Sequence, residues 1–187
     1  MGMYVVIAVV FIVAAWAVMT YNRLVKLRNM VREGWSGIDV QLKRRATLIP
    51  RLVETVKGYM GHERNLLSEI ADLRSKSLHA RKIGEKGEIE TALSRSLGSL
   101  MAVAEAYPDL KANQNFLELQ KELAAIEDQI QMARRYYNGT VRNLNIAVES
   151  FPTMIVARFF GFLQAEFFAI DDASDRQAPQ VVISGQG

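Results

Sequence analysis

The sequence predicts an all-α protein, an N-terminal transmembrane helix that continues into an antiparallel bundle of about four long helices. Three observations carry this. Met3 to Met19 is an unbroken apolar run, and the first charge is Arg23. Two long series of apolar residues follow at alternating steps of four and three, the spacing that lines one face of a helix. Hydrophobic residues make up 50% of the 187-residue chain while Pro (4) and Gly (12) are sparse, which excludes a disordered or collagenous chain. The expected organisation is a span at 1–22, one bundle domain at 23–170 and a flexible tail at 171–187.

The span comes first. A helix of about 18–20 residues is roughly 27–30 Å long and just fits the hydrocarbon core of a bilayer. The lipid-facing residues are Tyr4, Val5, Val6, Ile7, Val9, Val10, Phe11, Ile12, Val13, Trp16 and Val18, with Tyr4 and Tyr21 near the two interfaces. The Val, Ile and Phe residues together favour insertion by about 3–5 kcal/mol, with no central charge to offset it. A cleaved signal peptide would need a basic start and a small-residue cleavage site. Ala15-Trp16-Ala17 could serve as the second, but Met-Gly-Met-Tyr holds no Lys or Arg. A buried core helix is the other reading of so long an apolar run. Arg23, Lys26, Arg28 and Arg32 lie just past the run. The positive-inside rule then puts that flank and the domain in the cytoplasm, the short N-terminus outside and the protein in the cell membrane. These four side chains are the expected headgroup contacts, at about 1 kcal/mol per charge near an anionic leaflet.

The bundle follows. From Leu24 the series runs Arg28, Val31, Trp35, Ile38, Leu42, Arg45, Ile49, Leu52, Val56, Tyr59, Glu63, Leu66, Ile70, Leu73 and Ser77, and twelve of its sixteen positions are apolar. No loop signal appears before Leu78, so the first helix is expected to run out of the span to that point as a coiled-coil-like stripe. Pro50 opposes this at about 3 kcal/mol. Some six stripe residues on each side, worth about 1.5–3 kcal/mol apiece when buried, outweigh it. A kink or local break at Leu48-Ile49-Pro50 is expected. Residues 79–88 hold two glycines and five charged side chains and read as an exposed loop. A helix with Ile89, Leu93, Leu97, Leu100 and Tyr107 on one face should end at Tyr107-Pro108. Asn113 is a good N-cap for a helix of about 36 residues carrying Phe116, Leu119, Leu123, Ile126, Ile130, Tyr137, Leu144 and Phe151, stopped by Pro152. Six of the eight Phe fall between 151 and 168. The segment reads as a short fourth helix with a strand-like end capping the bundle. The sharper reading makes Phe159, Phe160, Phe162, Phe167 and Phe168 a patch that meets lipid or a neighbouring subunit.

Charge and motifs exclude much chemistry. The absence of cysteine rules out a disulfide scaffold, a Cys-ligated metal and a thiol nucleophile. Residues 23–57 hold nine Lys/Arg against three Asp/Glu, so the net charge of +3 belongs to one segment. His62 and His79 are the only histidines, and His62-Glu63 lacks a second His four residues on. Neither Gly58-to-Gly61 nor Gly84-to-Gly87 matches a phosphate-binding loop. Glu122, Glu127 and Asp128 read as a solvated helix face. Lys43-Arg44-Arg45 lacks the interleaved aromatics that base stacking needs, and Arg45, on the apolar stripe, calls for a carboxylate or carbonyl partner inside the bundle. No catalytic, cofactor or metal residues are therefore assigned, and no nucleic acid or small-molecule substrate is expected.

The wording of the chain nevertheless resembles a known family. Tyr21-Asn22-Arg23-Leu24-Val25, Trp35-Ser36-Gly37-Ile38-Asp39-Val40-Gln41-Leu42-Lys43-Arg44-Arg45, Leu48-Ile49-Pro50, and Val56-Lys57-Gly58-Tyr59 with His62-Glu63 are similar to motifs of the LemA family. So are Tyr107-Pro108, Leu110-Lys111-Ala112-Asn113, Asn115-Phe116, Ala133-Arg134 with Tyr137-Asn138, Phe151-Pro152, Phe160-Gly161-Phe162 and Phe167-Phe168. Thr47, Arg51 and Ala169 depart from it, standing where Asp, Asn and an acidic residue are usual. The resemblance implies a signal-anchor, a cytoplasmic domain of long antiparallel helices, and no established enzymatic activity. Family members look membrane-associated, sometimes encoded near membrane proteases or linked to internal membrane compartments. The expected function is a non-enzymatic, self-assembling membrane scaffold whose expected partners are lipid, further copies of itself and a membrane protein. An adaptor or regulator of a membrane enzyme such as a protease is the alternative.

Overall fold

The computed structural model describes residues 1–60 and 63–168, and all regular structure among them is helical. The helices are α1 (Gly2–Lys57), α2 (Arg64–His79), α3 (Ile83–Ala104), α4 (Pro108–Lys111), α5 (Gln114–Glu149) and α6 (Thr153–Phe159). Residues 162–168 form a non-helical strap. The tail expected at 171–187, and His62, lie outside the described residues.

α1 and α5 are the frame. The 56 residues of α1 make a rod of roughly 84 Å at 1.5 Å per residue. α5 lies antiparallel along it: Leu24 shares a cluster with Ala147, Gly34 meets Tyr137, and Arg45 meets Glu127. The two backbones come close at Gly34, where a Cβ would stand 3.1 Å from the Tyr137 Cα, tighter than an ordinary contact, so the position favours glycine. The stripes read from the sequence form the seam. Ile38, Leu42, Ile49, Leu52 and Val56 of α1 are buried with Phe116, Leu119, Leu123, Ile126 and Ile130 of α5. α5 begins as its sequence specifies, because Asn113 Oδ1 accepts the Phe116 N–H at 3.1 Å.

α2 and α3 pair with each other and cover the distal half of that frame. Ser96 Oγ donates to Glu69 at 2.9 Å and Ser77 Oγ donates to Glu90, which sets α2 and α3 antiparallel. Lys86 reaches Asp39 and Arg45 reaches Glu90, which sets α3 parallel to α1. The order is up-down-up-down through α1, α2, α3 and α5.

Three expectations need correction. The first helix stops at Lys57 rather than running to Leu78; Gly58 caps it and the chain folds back as α2. The apolar spacing of 66, 70 and 73 is real, but it belongs to this returning helix. A seven-residue pattern is blind to a reversal that leaves its phase unchanged. The loop shrinks from 79–88 to 80–82, because Ile83 packs on the core and Gly87 and Glu90 are buried in α3. Finally, of the kink or local break expected at Pro50, the break does not form, and α1 is helical through it. Proline has no N–H, so the carbonyl of Ala46, four residues back, loses its helical donor. Arg74 of α2 supplies one, with Nε donating to the Ala46 oxygen at 2.6 Å.

That replacement bond is testable. Arg74→Ala leaves the Ala46 carbonyl without either donor, an expected loss of about 1–3 kcal/mol. Pro50→Ala restores the backbone N–H and should remove much of that loss. Thermal unfolding of both single variants and the double variant in detergent checks it, and strictly additive effects would show that Arg74 acts elsewhere.

Candidate membrane-proximal site

At one end of the rod α1 stands alone. Residues 1–15 are exposed along their whole length, including Tyr4, Val5, Val6, Ile7, Val9, Val10, Phe11, Ile12 and Val13, and Val18 is exposed beyond them. Among the described residues this is the one helical stretch long and apolar enough to cross a membrane, and none of its most apolar window is buried by protein. The reading as a buried core helix is thereby set aside. Trp16 and Ala17 are half-buried, because α6 reaches them. Arg23, Lys26, Arg28 and Arg32 are all exposed, spaced down α1 from the end of the apolar run.

α6 and the strap complete this end. α6 packs Val156 and Ala157 against Leu24 and Ala147 in a small second core shared with Phe162, Trp16, Ala17 and Val25. Gly161, at φ +69°, turns the chain out of α6. The strap then climbs the frame away from the apolar end. Two asparagines seven residues apart on α5 hold it. Asn145 Oδ1 accepts the Ala165 N–H at 2.8 Å, and its Nδ2 donates to the Ala165 carbonyl at 3.0 Å. Asn138 grips Phe168 in the same two-point way, at 3.0 and 3.2 Å. Tyr137 Oη donates to the Glu166 carbonyl at 2.7 Å. Where α2 and α3 no longer cover α1 and α5, the strap is the third layer.

This layout divides the five phenylalanines that the sequence groups together. Phe168 is fully buried, 5.6 Å from the Trp35 ring, and Phe162 is buried under Arg28 and beside Tyr21. Both serve the chain's own core and offer no face to lipid or to a neighbour. Phe159 and Phe160 are exposed beside each other at the α6 end, and Phe167 is half-exposed higher on the strap. Asn138 and Asn145 were missed; an amide pair at heptad spacing beside the apolar seam of α5 is the signal that marks them.

The strap makes a measurable prediction. Asn145→Ala removes both bonds to Ala165, at an expected cost of about 1–3 kcal/mol. Hydrogen exchange at the Ala165 amide should speed up, whereas Asn143→Ala, exposed on the same helix, should leave it unchanged.

Ionisable groups gather deeper in the bundle. Arg45 is 1% exposed and pairs with Glu90 and Glu127. It also donates to Ser94 Oγ at 2.6 Å. The expected internal carboxylate is therefore present, and Glu127 is a half-buried ion-pair partner rather than part of a solvated face. Lys43 pairs with Asp39 at 2.7 Å and Arg44 reaches Glu122 at 3.5 Å, so the Lys43-Arg44-Arg45 cluster is distributed over four different carboxylates. His79 sits exposed at the end of α2, its Nδ1 2.7 Å from the Ser75 carbonyl.

Two pKa shifts follow from the packing. Burial would raise the Asp39 carboxyl, but hydrogen bonds from Lys43 and Lys86 outweigh it and hold the group below its usual value. Its stabilising effect is present at neutral pH and is lost as pH falls through that lowered value. Burial, aided by the Glu166 charge, pushes the Tyr137 phenol up to about 12. Its contribution is complete below pH 10, the ordinary tyrosine value, and is lost as pH rises toward 12. Ultraviolet titration should show a phenol ionising only as pH rises toward 12, and Tyr137→Phe should remove that step.

A long apolar helix that is bare at one end and fused at the other to a closed helical bundle defines a membrane-associated helical protein. The LemA family model matches residues 34–182, most of the chain, and the protein belongs to the LemA family. Among its relatives are magnetosome proteins MamQ 1 and MamQ 2 of Paramagnetospirillum magneticum, each 27% identical over 91% of this chain and 73% of their own length. Protein LemA of Metamycoplasma hominis is 30% identical over 73% of this chain and 63% of its own.

Proposed function

We propose that this protein is a single-pass, membrane-anchored scaffold without chemistry of its own, which assembles with further copies of itself to organise the membrane it sits in. The observation that carries the reading is the unbroken passage of α1 from the bare apolar stretch into the bundle seam. A flexible linker would decouple a domain from its anchor. A continuous helix transmits the orientation of one to the other, which suits a structural element. The buried ionisable side chains support the non-enzymatic part, since the Arg45 guanidinium is paired with Glu90 and Glu127 inside the bundle. Relatives named for the magnetosome favour a membrane-organising role. The exposed basic residues Arg23, Lys26, Arg28 and Arg32 favour a cytoplasmic domain and an outside N-terminus.

The test is assembly in a bilayer. Cross-linking and native mass analysis of the full chain, reconstituted at membrane densities, should give discrete homo-oligomers. A strict monomer overturns the scaffold reading, and a stable complex with a different membrane protein in its place supports the adaptor alternative.

A further inference from the structure

We propose that α6 is a second membrane contact: a shallow apolar foot that lies in the same leaflet face from which α1 emerges, with lipid acyl chains as its partner. The inference rests on the anchored reading above and goes beyond it, since a single span requires no second contact.

Three observations support lipid as the occupant. The first is an exposed apolar face. Ile155 and Phe159 fall four residues apart on α6 and are 57% and 82% exposed, with Phe160 beside them at 53%, and Phe151, just before the helix, is 79% exposed. Val156 and Ala157, on the opposite face, are buried against α1 and α5. α6 is thus apolar on both sides, and only one of them is covered by protein. The second is depth. α6 shares its core with Trp16 and Ala17 of the apolar run, and Phe160 packs at a tilt against Tyr21, 4.7 Å between ring centres. Trp16 lies seven residues before Arg23, the first charge, or roughly 10 Å at 1.5 Å per residue. Interfacial helices bury their apolar faces by about 5–10 Å, so the rigid packing on α1 sets α6 at the depth such helices occupy. The third is charge. Arg158 on α6 and Arg23 and Lys26 on α1, just past the apolar run, are exposed and available to anionic headgroups. Phe167 is not part of the foot. Its neighbour Phe168 packs on Trp35, which is twelve residues beyond Arg23.

The chain has no cysteine, so single labels can be placed without background. Ile155→Cys, Phe159→Cys, Val10→Cys in the span and Val40→Cys on the exposed distal surface are each spin-labelled in the full chain. They are reconstituted in vesicles of phosphatidylcholine and phosphatidylglycerol and probed for collision with oxygen and with a polar nickel chelate. Phe151→Cys replaces either α6 variant if circular dichroism shows that it is unfolded. The expected result is oxygen collision exceeding chelate collision at 155 and 159, as at 10, with the order reversed at 40. A water-like signature at 155 and 159 beside a lipid-like one at 10 overturns the foot and leaves the anchor standing. Exclusion of both reagents, with spin–spin coupling between copies, overturns it in favour of a second copy covering α6. A water-like signature at 10 overturns the anchor and the foot together.

Discussion

One guanidinium holds the register of the whole bundle. Arg45 projects from α1 into the core and meets Glu90 and Ser94 of α3 and Glu127 of α5, while Ser77 of α2 donates to the same Glu90. All four long helices therefore meet at one charge that is 1% exposed. The apolar stripes supply most of the burial, but a seven-residue repeat packs almost as well when one helix slides by seven. A buried cation does not tolerate that slide. Leaving such a charge without its partners costs about 3–5 kcal/mol, far more than a slipped Leu–Ile contact.

From that pin the molecule is graded along its length. Beyond it, α2 and α3 cover the frame and the core is four helices thick. Arg74 repairs the one defect in α1 by donating to the carbonyl that Pro50 leaves open. Toward the apolar end α2 and α3 stop and the strap replaces them, held by amide side chains rather than by helix packing. The last stretch of α1 has no protein cover at all. Each loss of protein cover is matched by a rise in exposed apolar surface. Continuity of α1 makes that gradient rigid: the position of α6 relative to the apolar run is set by packing at Leu24, Val156 and Phe162, not by a linker.

The membrane-proximal site was legible only in part. The apolar run and the four basic residues after it announce themselves by composition, and they are where the sequence puts them. The phenylalanines do not, because a residue type says nothing of which face it will occupy on a non-helical strap. Phe162 and Phe168 look like Phe159 and Phe160 in the sequence, yet the first two are buried and the last two exposed. The chain leaves α6 through Gly161 at positive φ, so the helical spacing that relates Phe159 to its neighbours no longer applies beyond it.

Periodicity and local chemistry were sufficient for the helical class, the apolar span, the seam residues of α1 and α5, and the Asn113 cap, because each depends on neighbours within a few residues. The demand of Arg45 for an internal carboxylate was also readable, since its place on an apolar stripe is local. The identity of that carboxylate was not. Glu90 and Glu127 lie 45 and 82 residues away, and only packing brings them there. The end of α1, the repair of Pro50 and the sorting of the phenylalanines share that origin. Each is settled by a contact between segments whose relative placement exists only once the chain has folded.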